Sequence, residues 1–437
     1  MNTATTTKSK TKSITQPITK IGIITNTYPP MRNGVSMAVF GLEQALKSKG
    51  IEVFIATPAL DGVVYSDNIC PLPSTDIPGT ISGELKLPRG YIKTCRKFFG
   101  DNGVQLIHTH DTLFGGIEGA FVSNDLKIPC VHTFHTMIQQ YNLVKFPAYK
   151  TIIKQAIIEV CNSYQNVISP SQKVYDYLLD LGVMSPITQI YNVPYLNNVE
   201  FVNTNRFEAS FEVNFTNDLN TDNGFTFLSF CRLSSEKGVD VGINVLASIL
   251  QTDPKIRYVI AGDGPEKADL IELTKSLKID KQVFFVGSYA PNELESLVKT
   301  IGAKAFLFTS LSENLPTNIL EATYLGLPIV AIDDKSVDYI VKNGHNGYKQ
   351  PLGNLTQICQ NLIDNPQLTQ ELSVNAKATA QEFIAQDIAQ KHIQLYNNVL
   401  EMYNKNQEDV GYQQFRLGSI FGLVDKLVQK IREFSKI

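Results

Sequence analysis

The sequence IGIITNTYPPMRNGVSMAVFGLEQALKSKGIEVFI at residues 21–55 alternates short apolar runs with a helical pattern. The run at 21–25 is typical of a buried parallel strand. Between 36 and 49 the apolar residues recur at helical spacing, and Gly50 suits the end of a helix. A second apolar run follows at 51–55. The stretch therefore predicts a strand, a helix and a parallel strand in that order.

The same alternation recurs along the rest of the chain in two blocks. Each further apolar run is followed by a helix-like segment, as expected where helices cover both faces of a parallel sheet. The predicted strands lie at 104–108, 129–133 and 166–169 in the first block and at 226–230, 257–261, 283–286, 305–308 and 328–331 in the second. We therefore expect an α/β protein with two doubly wound, Rossmann-like domains.

The boundaries of these blocks follow from length and local composition. A chain of 437 residues exceeds the size at which one hydrophobic core usually stops growing, so two domains are expected. Residues 196–224 are rich in Asn, Thr and Asp and lack periodicity, which indicates a linker or an exposed insertion. We accordingly predict an N-terminal domain at 20–195 and a C-terminal domain at 225–380. Residues 1–19, rich in Thr, Ser and Lys, are predicted to form a flexible basic arm.

The overall composition excludes several classes of protein. A hydrophobic fraction of 43% and a charged fraction of 19% are those of a globular chain. The net charge of −3 gives no general attraction to nucleic acid, so none is expected as a partner. The six cysteines form no Cys-x-x-Cys pair, so we expect neither a zinc site nor disulfides and favour a cytoplasmic location. Because no signal-peptide pattern and no apolar run of roughly 18 residues occur, membrane contact is expected to be peripheral.

The clearest chemical pattern is TSLSENLPTNILEATYLGLPIVAI at residues 309–332. A loop, a helix starting near Pro316 and ending near Gly326, and a strand follow one another. Glu313 is then on the loop at the carboxyl end of a strand, and Glu321 is inside the helix. Both carboxylates are expected at one crevice, where they can accept hydrogen bonds from sugar or ribose hydroxyls while helix amides meet an anion. The alternative is a pair of ordinary solvated glutamates.

Two cations lie between a predicted strand and helix in FCRLSSEKG at residues 230–238. Arg232 and Lys237 suit a diphosphate, whose negative charge grows as it departs from a sugar. The alternative is a surface loop with ordinary basic residues. The next strand ends in VIAGDGP, where Gly262 and Gly264 permit a close approach of the backbone. The third glycine of a dinucleotide fingerprint is absent.

Taken together with Asn33-Gly34-Val35, these motifs resemble the family 4 glycosyltransferases, which are retaining enzymes of the GT-B fold. The resemblance extends over residues 21–400. It implies an enzyme that takes a hexose from a nucleotide-diphosphate sugar. It further implies two domains facing a central cleft, with the N-terminal domain for the acceptor and the C-terminal domain for the donor. A helix at 381–404 would return to the N-terminal domain.

The resemblance also implies roles for individual residues. Arg232 and Lys237 would neutralise the donor diphosphate, which the backbone at Gly34 would also meet. Glu313 would touch the transferred sugar, and Glu321 would hold the ribose. The further donor-binding candidates share these loops: Gly262, Gly264, Asn314, Leu315 and Pro316. At positions 314 and 315 this sequence has Asn and Leu, where Gly and Phe are frequent in the family. This difference leaves the identity of the donor open.

The segments IHTHD and VHTFHTM resemble the subgroup that glucosylates diacylglycerol, and they are also similar to phosphatidylinositol mannosyltransferases. His135 would lie under the reacting sugar, where a histidine can donate a hydrogen bond or relay charge near the leaving phosphate. His108 and His132 are predicted to be structural residues at strand ends. For His110, a place on the acceptor side and a structural role both stay open.

No metal centre is predicted. The chain has no Asp-x-Asp, and its histidines show no His-x-x-x-His spacing. We therefore expect catalysis without a metal cofactor, and Mg²⁺ accompanying the nucleotide is left open. Local cations would then hold the anionic donor.

The last residues of the chain form an amphipathic pattern. Between 415 and 437, apolar residues recur at helical spacing, and Arg and Lys occupy the other side. We predict a helix at 410–437 that lies on an anionic membrane surface. A terminal helix packed on the protein or in a coiled-coil dimer is the alternative.

These observations predict a retaining glycosyltransferase that moves a hexose to a lipid such as diacylglycerol at the cytoplasmic, inner face of the plasma membrane. The alternative acceptors are a soluble sugar, a polysaccharide precursor and a protein, and the fold does not separate them. A nucleotide-sugar-binding scaffold without activity is the alternative class. The presence of both glutamates, the cation pair and His135 disfavours a scaffold.

Overall fold

Two parallel sheets, each covered by helices, organise the part of the chain that the computed structural model describes. The described residues are 17–31, 33–76, 86–88, 91–112, 114–135, 147–193, 224–289, 293–310, 313–383 and 385–406. The first half contains, in chain order, β1 (Lys20–Ile24), α1 (Gly34–Ser48), β2 (Glu52–Pro58), β3 (Ile69–Leu72), β4 (Ser74–Asp76), β5 (Lys86–Pro88), α2 (Tyr91–Asp101), β6 (Leu106–Thr109), α3 (Phe114–Leu126), β7 (Cys130–Thr133), α4 (Pro147–Asn162), β8 (Asn166–Ser169), α5 (Gln172–Leu181) and β9 (Ile187–Gln189). The second half contains β10 (Phe225–Phe230), α6 (Val239–Thr252), β11 (Ile256–Ala261), α7 (Lys267–Ser276), β12 (Val283–Gly287), α8 (Leu294–Ile301), β13 (Ala303–Phe308), α9 (Thr317–Tyr324), β14 (Ile329–Ile332), β15 (Gly347–Gln350), α10 (Leu355–Asp364), α11 (Pro366–Ala380) and α12 (Ala385–Asn406).

The strand order places a topological switch point in each sheet. The N-terminal sheet has the order β3-β2-β1-β6-β7-β8-β9, and the C-terminal sheet has the order β12-β11-β10-β13-β14-β15. All these neighbours are parallel, whereas β4 and β5 form a separate antiparallel pair. The direction of winding reverses between β1 and β6 and again between β10 and β13. Ligands of such sheets bind beyond the carboxyl ends of the strands at these points.

The predicted fold class, two doubly wound α/β domains, is confirmed. The edge strands β3, β9 and β15 and the β4–β5 pair were not predicted. Residues 1–16 of the predicted arm, residues 196–223 of the predicted linker and the predicted tail helix at 410–437 lie outside the described residues. Among the described helices, none combines the length and the apolarity needed to cross a membrane.

Helices cover both faces of each sheet. In the N-terminal domain, α1 and α12 pack on the face that carries Ile21 and Ile23, while α2 and α3 cover the face that carries Ile24. In the C-terminal domain, α6 and α10 pack on the face of Phe227, and α8 and α9 on the face of Leu228. Successive residues of a strand point to opposite faces. Because both faces are covered, the central strands are buried along almost their whole length and are largely apolar.

The last described helix, α12, packs on the N-terminal domain. Its residues Ile388, Tyr396 and Val399 are buried in the same cluster as the apolar side chains of α1. The Asn397 Oδ1 accepts a hydrogen bond of 2.8 Å from the backbone N–H of Ile18. The helix before it, α11, packs instead against α9 of the C-terminal domain. The last two described helices therefore pack on different domains.

Reciprocal ion pairs join α5 of the N-terminal domain to the loop after β14. The Lys173 Nζ lies 3.0 Å from an Asp334 carboxylate oxygen, and the Lys335 Nζ lies 3.0 Å from an Asp176 oxygen. The first pair is the more buried of the two, and the second is largely exposed. An exposed pair contributes at most about 1 kcal/mol. These two pairs join the N-terminal domain to the C-terminal domain.

Candidate active site

The first part of the site lies at the switch point of the C-terminal sheet. Lys237 belongs to a 3₁₀ turn after β10, and Glu313 lies on the loop after β13. The Lys237 Nζ forms an ion pair with Glu313 Oε1, and the Ser310 hydroxyl lies 3.0 Å from the same oxygen. The exposed fractions of the Lys237 and Glu313 side chains are 24% and 16%. Burial alone would lower the pKa of Lys237, but the Glu313 carboxylate outweighs it and raises that pKa. The ammonium group is therefore held charged.

A pocket beside this ion pair is lined by both apolar and polar side chains. Its lining includes Lys237, Thr309, Ser310 and Asn318. The Thr309 hydroxyl donates a hydrogen bond of 2.7 Å to the backbone oxygen of Gly238, and Asn318 Nδ2 donates one of 3.1 Å to the backbone oxygen of Phe230. Neither Thr309, Ser310 nor Asn318 was predicted as a site residue. Their signal was present, because all three are small polar residues within the motif that carries the two glutamates.

Glu321 lies on α9 and is partly buried. Burial raises its pKa to about 8. Within the described ranges its carboxyl group has no hydrogen-bond partner. A partly enclosed carboxyl group without a protein partner can accept hydrogen bonds from ligand hydroxyls, which would offset the cost of its burial. The predicted contact with a ribose is compatible with this position and stays a prediction.

Gly262 and Gly264 are required by the protein's own loops. A Cβ atom on Gly262 would lie 1.8 Å from the backbone oxygen of Cys231, and one on Gly264 would lie 2.2 Å from that of Leu233. Gly262 also has a φ of +144°, which L side chains rarely adopt. The backbone approach predicted here is therefore made by the loop that carries Arg232. A contact between these glycines and the donor stays a prediction.

The remaining donor-binding candidates lie at the start of α1, on the loop after β10 and at the start of α9. Gly34 is the exposed first residue of α1, and no atom lies within 4 Å of the position of an added Cβ. The Asn33 side chain caps the helix by accepting a hydrogen bond of 2.9 Å from the Ser36 N–H. Amides of this first turn can meet an anion. Arg232 lies exposed on the loop after β10, whereas Leu315 and Pro316 are buried beside α9.

The acceptor-side histidines lie at the ends of two neighbouring N-terminal strands. His110 follows β6 and His135 follows β7, and their exposed fractions are 4% and 8%. The His110 Nδ1 lies 2.8 Å from the His135 Nε2, and the two ring planes are inclined by 21° with centroids 5.1 Å apart, so the rings meet edge to edge. Burial lowers the pKa of His135 to about 4, and burial together with neighbouring histidines lowers that of His110. Both rings are therefore neutral near pH 7.

These two residues belong to a buried cluster that contains five of the six histidines of the chain: His108, His110, His132, His135 and His392. His108 is bonded on both sides, at 2.7 Å to the Thr133 hydroxyl and at 2.8 Å to the Tyr396 hydroxyl of α12. The Nδ1 atom of His132 lies 2.9 Å from the Thr109 hydroxyl. The partners of His108 and His132 are thus protein groups. His110 is the member that bonds to the predicted catalytic histidine.

Two buried carboxyl groups at the same switch point were not predicted as site residues. The backbone N–H of Asn26, after β1, donates a hydrogen bond to the Asp111 carboxylate, after β6. Burial raises the pKa of Asp111 to about 7, and burial together with Asp111 raises that of Glu118 to about 8. Asn26 Oδ1, Thr112 Oγ1 and Glu118 Oε2 are buried without a hydrogen-bond partner. A carboxylate directly after a strand at the sheet centre is the signal that could have identified Asp111.

One hydrogen bond connects the donor side to the acceptor side. Asn314 Nδ2, on the loop after β13, donates to the backbone oxygen of His135 at 2.6 Å. Asn314 is adjacent to Glu313, which holds Lys237. The structure therefore brings Lys237, Glu313, Asn314, His135 and His110 into one continuous constellation between the two domains.

The described residues contain neither a disulfide nor a candidate metal centre. All six cysteines are free thiols. Across these ranges, no group of three or more His, Cys, Asp or Glu side chains is placed to hold a metal ion. Catalysis without a metal cofactor stays a prediction, because an ion that accompanies the nucleotide would use the oxygens of the nucleotide itself.

Comparison with known proteins assigns both halves of the chain. The family described as "Glycosyltransferase Family 4" matches residues 32–193, and the family described as "Glycosyl transferases group 1" matches residues 211–379. The first match contains strands β2 to β9 of the N-terminal domain and four of its histidines, His108, His110, His132 and His135. The second contains the C-terminal sheet with Lys237 and both glutamates.

Two similar relatives carry the same name. The alpha-monoglucosyldiacylglycerol synthase of Streptococcus pneumoniae is 30% identical over 323 residues, which cover 71% of this chain and 70% of that protein. The protein of that name from Acholeplasma laidlawii is 25% identical over 403 residues, which cover 88% of this chain and 98% of that protein. The crystal structure of Anabaena HepE in complex with UDP and glucose matches the fold with a TM-score of 0.64 at 19% identity, covering 86% of this chain and 99% of that one.

Proposed function

This chain belongs to the family 4 glycosyltransferases, and we propose that it is a retaining enzyme that transfers a hexose from a nucleotide-diphosphate sugar to the hydroxyl of a lipid such as diacylglycerol. The observation that carries the proposal is the continuous constellation of Lys237, Glu313, Asn314 and His135. It joins a charged diphosphate site to the end of the acceptor-side sheet. The names of the two similar synthases support diacylglycerol as the acceptor.

Lys237 acts on the leaving group. Its ammonium is charged and only 24% exposed, so it stabilises the negative charge that develops on the diphosphate more strongly than a solvated lysine would. Arg232, on the same loop, adds a second cation. Glu313 shares its Oε1 with Lys237 and Ser310, which fixes the carboxylate where it can accept hydrogen bonds from hexose hydroxyls. The Glu321 carboxyl group accepts hydrogen bonds from the ribose hydroxyls.

The acceptor hydroxyl approaches from the N-terminal switch point. In a retaining transfer it reaches the sugar on the face from which the diphosphate departs. The bond between the anomeric carbon and the phosphate oxygen breaks, the bond to the acceptor oxygen forms, and the hydroxyl proton passes to the departing phosphate oxygen. His135 lies where it can donate a hydrogen bond to the sugar or the phosphate during this step. Asp111, with one oxygen held by Asn26, can orient the acceptor hydroxyl.

The enzyme encounters a lipid acceptor of this kind at the membrane. Diacylglycerol resides in the bilayer, so the enzyme works as a peripheral protein at the inner face of the plasma membrane. The basic amphipathic pattern at 415–437 supports this placement. Cations near an anionic surface contribute on the order of 1 kcal/mol each.

The test is a transfer assay with the full-length protein. Radiolabelled UDP-glucose and other nucleotide sugars are each offered with anionic vesicles that contain diacylglycerol, or with soluble sugars, and the products are separated by phase. We expect label in the organic phase with α-linked hexose by NMR, and none with Glu313→Gln. Label confined to the aqueous phase would identify a soluble acceptor. Donor binding without transfer to any acceptor would identify a scaffold, and an inverted anomeric configuration would contradict retention.

A further inference from the structure

The hydrogen bond between His110 and His135 has a direction that the surroundings decide. Its two nitrogens, His110 Nδ1 and His135 Nε2, are 2.8 Å apart. Because both rings are neutral, each carries one N–H and one bare nitrogen. One ring must therefore donate and the other must accept. The choice also determines which nitrogen of each ring is left for other partners.

The second nitrogen of His110 separates the two choices. His110 Nε2 is fully buried and has no hydrogen-bond partner. If His135 donated, His110 Nε2 would carry a buried N–H without an acceptor, an arrangement that is rare and costs about 1–3 kcal/mol. If His110 donates from Nδ1, its Nε2 is a bare nitrogen, and an unsatisfied acceptor is less rare than an unsatisfied N–H. The His108 ring, with its centroid 4.1 Å from that of His110, packs against it and offers no replacement acceptor, since both of its nitrogens are already bonded.

We propose that His110 is a positioning residue: it donates from Nδ1 to His135 Nε2 and so fixes His135 as the tautomer that carries its proton on Nδ1. The inference rests on the proposed function, in which His135 touches the substrate. Among the described residues, His135 Nδ1 has no hydrogen-bond partner, so its N–H is available to a ligand. The chemical groups that it fits are acceptor oxygens, which are a hexose hydroxyl or an oxygen of the departing phosphate.

Other contacts fix the backbone and the ring plane of His135. The backbone oxygen of His135 accepts the hydrogen bond from Asn314 Nδ2, and the plane of its ring lies within 21° of the plane of the His110 ring. Position, ring plane and proton are then all set before substrate arrives. A hydrogen-bond donor that needs no reorientation during the reaction stabilises developing charge most effectively. His110 contributes through this arrangement, without contact with the substrate.

The direct test is the tautomer of His135 in the full-length enzyme. Selective ¹⁵N labelling of histidine, with the His135→Gln variant to assign the signals, distinguishes a protonated Nδ1 from a protonated Nε2 by NMR. We expect a protonated Nδ1 in the free enzyme near pH 7. A protonated Nε2 would overturn the proposal. This measurement needs no catalysis, so its result is independent of whether the proposed transfer reaction is observed.

Two isosteric variants test the consequence for the reaction. In His110→Asn the amide Nδ2 can still donate, whereas in His110→Asp a carboxylate can only accept and would draw the His135 proton to Nε2. We expect His110→Asn to keep kcat within about tenfold. We expect His110→Asp to lose about 10²-fold or more in kcat with the donor KM little changed, and to shift the His135 tautomer.

The results for these variants distinguish a positioning role of His110 from direct contact with the acceptor and from a space-filling role. If His110 contacts the acceptor directly, His110→Asn should raise the acceptor KM while the His135 tautomer is unchanged, and that result would contradict the inference. If His110 only fills space, His110→Asn and His110→Asp should have equal kcat, which would also contradict it. Thermal unfolding of each variant shows whether it is folded, and the tautomer of the unmodified enzyme decides the matter if His110→Asp is not.

Discussion

Replacing Lys237 by methionine removes one charge from the proposed diphosphate site and keeps most of the volume of the side chain. The structure assigns Lys237 two separate tasks, which are to balance Glu313 in the free enzyme and to meet the diphosphate during transfer. The two tasks have different energetic signatures. The first affects the free energy of unfolding, and the second affects kcat.

Both magnitudes follow from the burial of the pair. A unit charge about 4 Å from a phosphate oxygen contributes about 4 kcal/mol at an effective dielectric of about 20, which corresponds to roughly 10³-fold in rate. Arg232 on the same loop compensates in part, so we expect Lys237→Met to lower kcat by about 10²–10³-fold. Leaving a fully buried charge unpaired costs about 3–5 kcal/mol. Because Glu313 keeps 16% of its exposure and retains Ser310 as a partner, we expect a loss of only about 1–2 kcal/mol of unfolding free energy.

The assay compares initial rates of transfer and urea unfolding for Lys237→Met, Glu313→Gln and the double variant. The double variant should recover stability, because it carries no unpaired charge, but it should recover no turnover. Lys299→Met is the matched control, since that side chain is 74% exposed and pairs with Glu295 on a helix surface. It should change neither quantity appreciably. A Lys237→Met enzyme with kcat within tenfold of the unmodified protein, or a double variant with restored kcat, would refute the assignment.

The remaining predictions concern pH, metal ions and the tail. Burial raises the pKa of Glu321 from 4.5 to about 8, so the free energy of unfolding should fall as pH rises through that window by up to about 1.4 kcal/mol per unit. In urea titrations Glu321→Gln should reduce this fall and leave the contributions of Asp111 and Glu118, whose pKa values burial also raises, and a curve parallel to that of the unmodified protein would contradict the prediction. Burial lowers the pKa values of His132, His135 and His392 from 6.5 to about 3, 4 and 4. The free energy of unfolding should therefore also fall as pH decreases from about 6.5 to 4. A free energy of unfolding that stays constant over this range would contradict the prediction. Transfer should continue in EDTA, whereas complete loss restored only by Mn²⁺ would show that a metal is required. Deleting residues 412–437 should weaken vesicle binding and slow transfer to diacylglycerol in vesicles with donor affinity kept, unless the tail is a packing element, in which case thermal stability falls instead.

The central strands could be predicted from the sequence because their environment leaves a local signal. The strands β1 and β10 are covered on both faces, so most of their residues are apolar. The edge strand β12 is also an apolar run, whereas the unpredicted edge strands lack this signal. β3 contains Pro71, and the three residues of β9 are all only partly buried. A short strand at a sheet edge has one neighbour and tolerates proline and polar residues, so apolar runs do not reveal it.

On the donor side, the sequence predicts candidate residues one by one but not the contacts between them. Glu313, Lys237 and the two glycines lie in motifs whose spacing is local. The hydrogen bond from Asn314 to His135 joins residues 179 positions apart, and no spacing rule predicts it. For Gly262, too, the sequence does not identify the group that the residue contacts. Its sequence context indicates a close backbone approach, but only the structure shows that the approaching group is the backbone oxygen of Cys231.

The last described helix, α12, also contacts the histidine cluster. The Tyr396 hydroxyl of α12 is bonded to His108, 288 residues earlier in the chain, and His392 of the same helix lies 5.9 Å from His108 between ring centroids. His108 in turn packs against His110, which bonds to His135. The helix therefore packs against the histidine cluster as well as against the N-terminal sheet. Because buried polar rings are costly without their partners, the acceptor side depends on residues of α12 as well as on residues of the N-terminal domain.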